Sequence, residues 1–438
     1  IAHALGRLMR HHVDIEDSRV DHWVSRYNEA ATAPLSKTQA DAVSMAARSR
    51  VFILTGGPGV GKTTTANAII RLFKAMGKSV LLAAPTGRAA QRLSEVSAEK
   101  AKTIHRLLEW QPAEAGFARN ELNPLKADVI ICDESSMLDT RLAASLMAAT
   151  PEHAQLIFIG DVDQLPSVGP GNVLRDLIHS QKIPCVTLRE IFRQAATSSI
   201  VRFAHEINEG IVPEFVKDGA TDCQFIEAET SDEIRSVISR LLTEVLPEKY
   251  NFNATRDVQI LTPMNRGDLG TQSMNQELQE LLNPDPMAHI REAGQKQRQG
   301  ELRDGDKVIQ TANDYDLQVF NGDIGFVTQT KVEGGKSKVV FGDGRMVTYD
   351  REQTDDLRLA YTITIHKSQG SEFPVVILPM SMQHYVMLQR NLIYTGLTRA
   401  KKLAIFIGSK KSLAFAVKNN ISIARQTNLA ARVREEIR

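Results

Sequence analysis

Cysteine is scarce in this chain. The three present, Cys132, Cys185 and Cys223, stand far apart and follow no metal-ligand spacing. They read as reduced cytosolic thiols. Long apolar runs are missing as well. None approaches the ~18 residues needed to cross a bilayer, and no signal peptide opens the sequence. A cytoplasmic protein without a membrane partner is therefore expected. Charge of one sign is lacking too. The net charge is +1, so nothing in bulk announces nucleic acid, and any basic groove must be local. An initiating Met is absent, as in a piece of a longer protein, because the chain begins at Ile1. What remains is ordinary for a globular protein: 438 residues, 42% apolar and 24% charged. That length is enough for two or three domains with sizeable cores.

The richest stretch is Gly56 to Thr63, GGPGVGKT. It follows the apolar run Val51 to Leu54 and precedes a helix-compatible run from Thr64 to Met76. Strand, glycine-rich loop and helix in that order complete a P-loop. The glycines let backbone N–H groups of Gly57, Pro58's neighbours, Gly59, Val60 and Gly61 converge on phosphate oxygens. The following helix points its positive end at the same place. Lys62 is expected on the β- and γ-phosphates and Thr63 on Mg²⁺, with Thr64 beside them. ATP and Mg²⁺ are the expected cofactors.

Other candidates sit where apolar strands end, the edge at which open parallel sheets bind ligands. Ala127 to Cys132 runs into Asp133-Glu134, with Asp133 expected to hold Mg²⁺ and Glu134 to polarise water. Leu156 to Ile159 leads to Gln164, whose amide suits a γ-phosphate sensor. Ser79 to Ala84 ends in Pro85-Thr86-Gly87-Arg88. Gln39, upstream of the first strand, offers an amide to an adenine edge. Arg193 follows another short strand-like stretch. His11-His12 lack further ligands at useful spacing, so a solvated helix face is expected rather than a metal site.

Between these lie two departures from the α/β pattern. Glu109 to Pro124 carries Trp110, Pro112, Gly116 and Phe117 among polar residues and reads as a short hairpin. Residues 301–355 hold closely spaced short strands with Asn-Gly and Gly-Asp turns, the pattern of a small β-barrel. Residues 283–300 read as a linker.

Taken together and in order, these motifs resemble those of superfamily 1 DNA helicases, most closely the RecD-like family that includes the exodeoxyribonuclease V alpha subunit. The match runs from about residue 35 to about residue 410 through Gln39, GGPGVGKT, APTGRAA, TIHRLL, DESS, GDVDQLPSVGPG, IFRQ, ITIHKSQGSEF and YTGLTRAKK. The resemblance implies an α/β fold of two RecA-like P-loop motor domains with the nucleotide between them. It divides the chain into a remnant at 1–34, a first motor domain at 35–190 with a pin at 109–124, a second at 191–300 and 356–438, and an SH3-like insert at 301–355. It implies Arg193 and Arg399 as arginine fingers, and Gly370 and Glu372 near the nucleotide. It implies DNA contacts from Pro85, Thr86, Arg88, Thr103, His105, Pro263, Asn321, Thr364, His366 and Lys367. It also implies 5′-to-3′ movement on single-stranded DNA, opening of duplex junctions, and work in DNA repair or recombination, with protein partners that the residues do not identify. Only about 35 residues precede Gln39, a departure from the family's long N-terminal region. No nuclease signature is present, so DNA cleavage is not expected. With aromatics at 5%, no base-stacking residue stands out. The alternative reading is a nucleic-acid-stimulated ATPase subunit, a switch or motor in a larger complex that does not unwind alone. A P-loop kinase leaves the second α/β unit with Arg399 unexplained, and a mere nucleotide switch has no need of Glu134.

Overall fold

The computed structural model describes residues 1–192, 197–216, 221–285, 301–314, 316–332, 335–420, 425 and 427–437. Arg193 and residues 286–300 of the expected linker lie outside them. The chain forms two compact units, Ile1–Thr197 with Ser422–Arg438, and Ser198–Ile421.

The first unit is built on β1 (Val51–Gly56), β2 (Val80–Ala84) and β3 (Ala101–Thr103), a separate hairpin of β4 (Trp110–Gln111) and β5 (Gly116–Phe117), then β6 (Val129–Cys132), β7 (Gln155–Gly160) and β8 (Cys185–Leu188). The six sheet strands run parallel in the order β3-β2-β6-β7-β1-β8. The central strands β1, β6 and β7 are buried throughout and read as nearly continuous apolar runs because both faces are covered. The alternation of a strand still sorts the side chains. Phe52 and Leu54 of β1 pack with Val43, Ile69 and Phe73 from the helices Lys37–Arg48 and Lys62–Ala75. Val51 and Ile53 face the opposite core, with Leu142, Leu146 and Leu177 from the helices Thr140–Ala149 and Val173–Ser180.

Both chain ends belong to this unit. Leu5 and Leu8 of the helix Ala2–Met9 and Val433 of the helix Leu429–Glu436 are buried in the second of those cores. Val20 and Val24 join the first. Residues 1–34 thus contribute to the cores of the first unit, and the last residues return to it instead of completing the second. His11 and His12 are exposed but lie past the end of the first helix, so they form no helix face.

The second unit contains β9 (Cys223–Glu227), β10 (Val258–Thr262), β11 (Lys307–Gln310), β12 (Ile324–Val332), β13 (Lys336–Phe341), β14 (Met346–Tyr349), β15 (Leu357–Leu359), β16 (Thr362–Thr364), β17 (Phe373–Met380) and β18 (Ala400–Gly408). A parallel sheet has the order β16-β10-β17-β18-β9, and an antiparallel one β14-β13-β12-β11-β15. The antiparallel sheet is the small barrel, filled by Val308, Val327, Val339, Phe341 and Tyr349. It continues through Leu359, past the expected limit at 355.

Barrel and parallel sheet meet at Asp306, which has no exposed surface. Its carboxylate accepts hydrogen bonds from Tyr361 Oη at 2.8 Å, Asn283 Nδ2 at 2.8 Å, Gln279 Nε2 at 2.6 Å and the Arg303 backbone N–H at 2.7 Å. Four donors offset the desolvation of one buried charge. Burial, then Asp306, pushes the Tyr361 phenol up, which keeps it a donor.

Candidate functional site

In the first unit the candidate residues gather at the carboxyl ends of β1, β6 and β7, three neighbours in the sheet. The P-loop leaves β1 and turns through Gly59 at φ +72° and Gly61 at φ +81°. Gly61 caps the helix Lys62–Ala75. A Cβ there would collide with Gln39 Nε2 and stand 2.8 Å from the Phe192 ring, so close packing as well as backbone sign calls for glycine. Lys62 Nζ donates to the carbonyls of Gly56 at 2.5 Å and Gly57 at 2.7 Å. Thr63 and Thr64 are exposed on the first helical turn.

Gln39 is buried and serves two structural purposes. Its Oε1 accepts the Ser36 N–H at 3.0 Å, completing a capping box, and its Nε2 donates to the Gly61 carbonyl at 3.4 Å. One amide N–H and one lone pair are left for a ligand.

Asp133 is half-buried directly after β6, and its Oδ1 accepts the Glu134 N–H at 2.8 Å. Burial, reinforced by the Glu134 charge, pushes the Asp133 carboxyl up to about 6. Glu134 sits at φ +51°, a left-handed conformation uncommon outside glycine, at the start of the tight turn Ser135–Met137. Gly160 makes room for that turn, since a Cβ there would stand 3.1 Å from the backbone N of both Ser135 and Ser136. Beyond it, Gln164 Nε2 donates to Asp161 Oδ2 at 3.2 Å, while Gln164 Oε1 is buried without a partner.

The raised carboxyl has a consequence for stability. A group whose native pKa lies above its unfolded value near 3.8 weakens the fold wherever it is ionised. The penalty is complete above about pH 6, shrinks as pH falls, and is gone below the unfolded value. In EDTA at pH 8, Asp133→Asn should therefore melt about 2–4 °C higher than the wild type. The difference should narrow as pH is lowered through 6 towards 4. A constant or widening gap on acidification would contradict the assignment.

The DNA candidates of this unit lie at the ends of β2 and β3. Pro85 and Arg88 are half-buried, and Thr86 Oγ1 caps the helix Gly87–Ser97 by accepting the Ala89 N–H at 3.3 Å. Thr103 Oγ1 caps the next helix through the Arg106 N–H at 3.2 Å. Both hydroxyls keep their own hydrogen to donate. The His105 ring lies 5.6 Å from Phe117 and 6.3 Å from Trp110 of the hairpin. Burial lowers its pKa, with Asp139 acting the other way.

In the second unit Arg399 is only 3% exposed. It donates to the carbonyls of Thr395 and Ser371 at 3.2 Å each and to Thr398 Oγ1 at 3.3 Å. Gly370, at φ +73°, and Glu372 flank Ser371, so these three candidates are brought together. Glu372 pairs with Lys401 at 3.2 Å. Between the barrel and the parallel sheet lies a cavity of about 560 Å³ lined by Thr364, Lys367, Arg358, Asn265, Gln272 and Gln276 among others. Its lining holds two cations and no carboxylate. Burial, then the Arg358 charge, lowers the Lys367 pKa, as expected where two cations face one space. Pro263, His366 and Asn321 do not line it. His366 is likewise shifted down by burial.

Three family models match the chain: "AAA domain" over residues 39–170, "ATP-dependent RecD-like DNA helicase SH3 domain" over 274–341, and "UvrD-like helicase C-terminal domain" over 359–407. The "RecBCD enzyme subunit RecD" of Mycobacterium tuberculosis is 31% identical, covering 86% of this chain and 70% of its own length. That of Mycolicibacterium smegmatis is 30% identical, covering 90% and 74%. The chain belongs to the RecD-like helicase family. The "ATP-dependent RecD2 DNA helicase" of Deinococcus radiodurans is 39% identical over 91% of this chain, which spans 52% of that relative's length. A crystal structure of Bacteroides Pif1 bound to ssDNA shares the fold, with a TM-score of 0.52 at 20% identity, over 85% of this chain and 92% of that one.

In this RecD-like chain the P-loop, Asp133-Glu134 and Gln164 fall inside the first match, and Thr364 to Arg399 inside the third. Arg358 precedes the third match by one residue and was missed from sequence. A lone Arg in a barrel strand carries no signal until the fold sets it beside Lys367. Phe192, packed under Gly61, was quoted in its motif without a role.

Proposed function

We propose that this chain is the motor of an ATP-dependent DNA helicase that moves 5′-to-3′ along single-stranded DNA and opens the duplex it meets. The convergence of Lys62, Asp133, Glu134 and Gln164 at the ends of three adjacent parallel strands supports it. The P-loop N–H groups cradle the phosphates, and Lys62 swings its flexible stem from the Gly56 and Gly57 carbonyls to the β- and γ-oxygens. Thr63 and Asp133 supply hard oxygen donors of the kind Mg²⁺ takes, and a cation beside Asp133 favours the ionised form that burial disfavours. When bound, Mg²⁺ neutralises charge on the β- and γ-phosphates. Glu134 takes the proton of the attacking water. Gln164 presents its free Oε1 as an acceptor and its remaining amide hydrogen to the γ-phosphate. Gln39 reads the adenine edge, and Arg193, Arg399, Gly370 and Glu372 complete the nucleotide contacts. Lys367 and Arg358 hold strand phosphates in their cavity, with the remaining DNA candidates positioning the backbone.

Among the described residues no helix is long and apolar enough to cross a membrane. We place the protein's work in the cytoplasm, in DNA repair or recombination. Tailed duplexes test the proposal. A duplex with a 5′ single-stranded tail should be opened in the presence of ATP and one with only a 3′ tail should not. Preference for the 3′ tail reverses the polarity. Strand-stimulated ATPase without opening of either substrate favours a motor subunit of a larger complex, the arrangement named by the RecBCD relatives.

A further inference from the structure

The C-terminal stretch of the chain carries an arginine that none of the three family matches reaches. Arg425 lies seven positions after Lys418, the end of the second unit's final helix, but belongs to the first unit, where its hydrogen bonds to described residues are made. Its NH1 donates to the carbonyls of Gly169 at 2.5 Å and Gly171 at 2.6 Å and to Ser167 Oγ at 3.2 Å. Its NH2 donates to the Ser167 carbonyl at 2.5 Å. These acceptors form the loop that begins three residues after Gln164.

Three carbonyls turned toward one point repel one another unless a cation sits among them. A guanidinium meets them with a planar fork of donors, where an ammonium offers only a compact charge. On its other side the loop is held through Pro170, whose carbonyl accepts the Thr140 N–H at 2.9 Å and Thr140 Oγ1 at 3.0 Å. The backbone behind Gln164 is thus pinned from two directions, and Val168 is left 84% exposed. The tail has docking contacts of its own beyond Arg425. Val433 is fully buried in the core, and Arg434 bonds the carbonyls of His179 at 2.6 Å and Ser180 at 3.4 Å.

We propose that Arg425 is a positioning residue for ATP hydrolysis: it fixes the loop 167–171 so that Gln164 is held beside the γ-phosphate. This rests on the helicase reading above and adds to it a residue that touches neither nucleotide nor DNA.

The test compares Arg425→Ala, Arg425→Lys and Arg434→Ala for melting temperature, KM for ATP, and kcat with and without a saturating single-stranded oligonucleotide. Arg425→Ala should keep KM near the wild-type value and lower the strand-stimulated kcat about ten- to a hundredfold, as small misplacements of a reacting group do. Lys should restore part of the rate, and Arg434→Ala should leave kcat unchanged. Wild-type kcat in Arg425→Ala overturns the proposal. So does an equal fall in Arg425→Ala and Arg434→Ala, which marks a role in tail docking only. Should the Ala variant not fold, the Lys variant decides, and a wild-type rate in it overturns the proposal. Absence of stimulation in the wild type itself refutes the helicase reading instead, and Arg425 is then judged by the same comparison on unstimulated kcat.

Discussion

Glu134→Gln should slow ATP turnover roughly 10²–10⁴-fold, the range for loss of a general base, while ATP still binds. The side chains have nearly the same shape, so the backbone at φ +51° and the turn that follows are kept. The hydrogen bond from residue 134 to Asp133 Oδ1 comes from the backbone N–H and survives the change. What is lost is the capacity to accept a proton from water. One side effect runs the other way. The Glu134 charge is, after burial, what pushes the Asp133 carboxyl up, so neutralising it favours ionised Asp133 and firmer Mg²⁺ binding. The variant should therefore trap bound ATP. Single-turnover hydrolysis beside an equilibrium nucleotide-binding measurement checks this. Turnover at the wild-type rate would remove Glu134 from its role.

The second large effect concerns the hairpin. Replacing residues 111–122 by a short Gly-Ser turn should leave strand-stimulated ATPase intact and reduce duplex opening at least tenfold. The hairpin is small but braced. Trp110 pairs with Phe117, their rings meet edge-on with centroids 4.9 Å apart, and the His105 ring packs against Phe117. Arg119 donates to the Glu109 carboxylate at 2.9 Å. Asn120 Oδ1 accepts the N–H groups of Leu122 at 2.9 Å and Asn123 at 3.1 Å, closing the following turn and leaving Leu122 97% exposed. Opening a base-pair step costs about 1–2 kcal/mol of stacking. A braced obstacle rooted beside Thr103 and His105 can deliver that when the motor pulls a strand past it, and a flexible turn yields instead. Measuring ATPase and strand displacement on the same preparation separates the two. Displacement at the original rate by the shortened protein would make the hairpin an ordinary surface loop.

How much of this was legible in the sequence depended on distance along the chain. The P-loop and Asp133-Glu134 could be read because strand, loop and helix are contiguous, and each residue's role follows from its neighbours. The hairpin was legible from its turn residues and paired aromatics. The insert was expected to end at 355 and runs to Leu359, because only Ala360 and Tyr361, neither a turn residue, separate β15 from β16. The barrel takes Leu359 and the parallel sheet starts at Thr362. Glu134's left-handed backbone left no trace in composition. His105 and His366 were expected to contact DNA, and the burial that lowers both their pKa values is set by the fold and not by their neighbours in sequence. Arg358 and Arg425 acquire meaning only from partners that lie elsewhere in the chain, and the return of the tail to the first unit has no local signature at all.

The joint at Asp306 bears on how force leaves the motor. A desolvated carboxylate with four donors does not swivel, because any rotation that breaks its bonds strands a charge in apolar surroundings. Barrel and parallel sheet are therefore locked in register. Arg358 belongs to the barrel and Lys367 to the turn after β16, so this joint sets the spacing of the two cations that line the cavity. On the proposed reading, a strand held between those two cations meets a stiff pair of jaws.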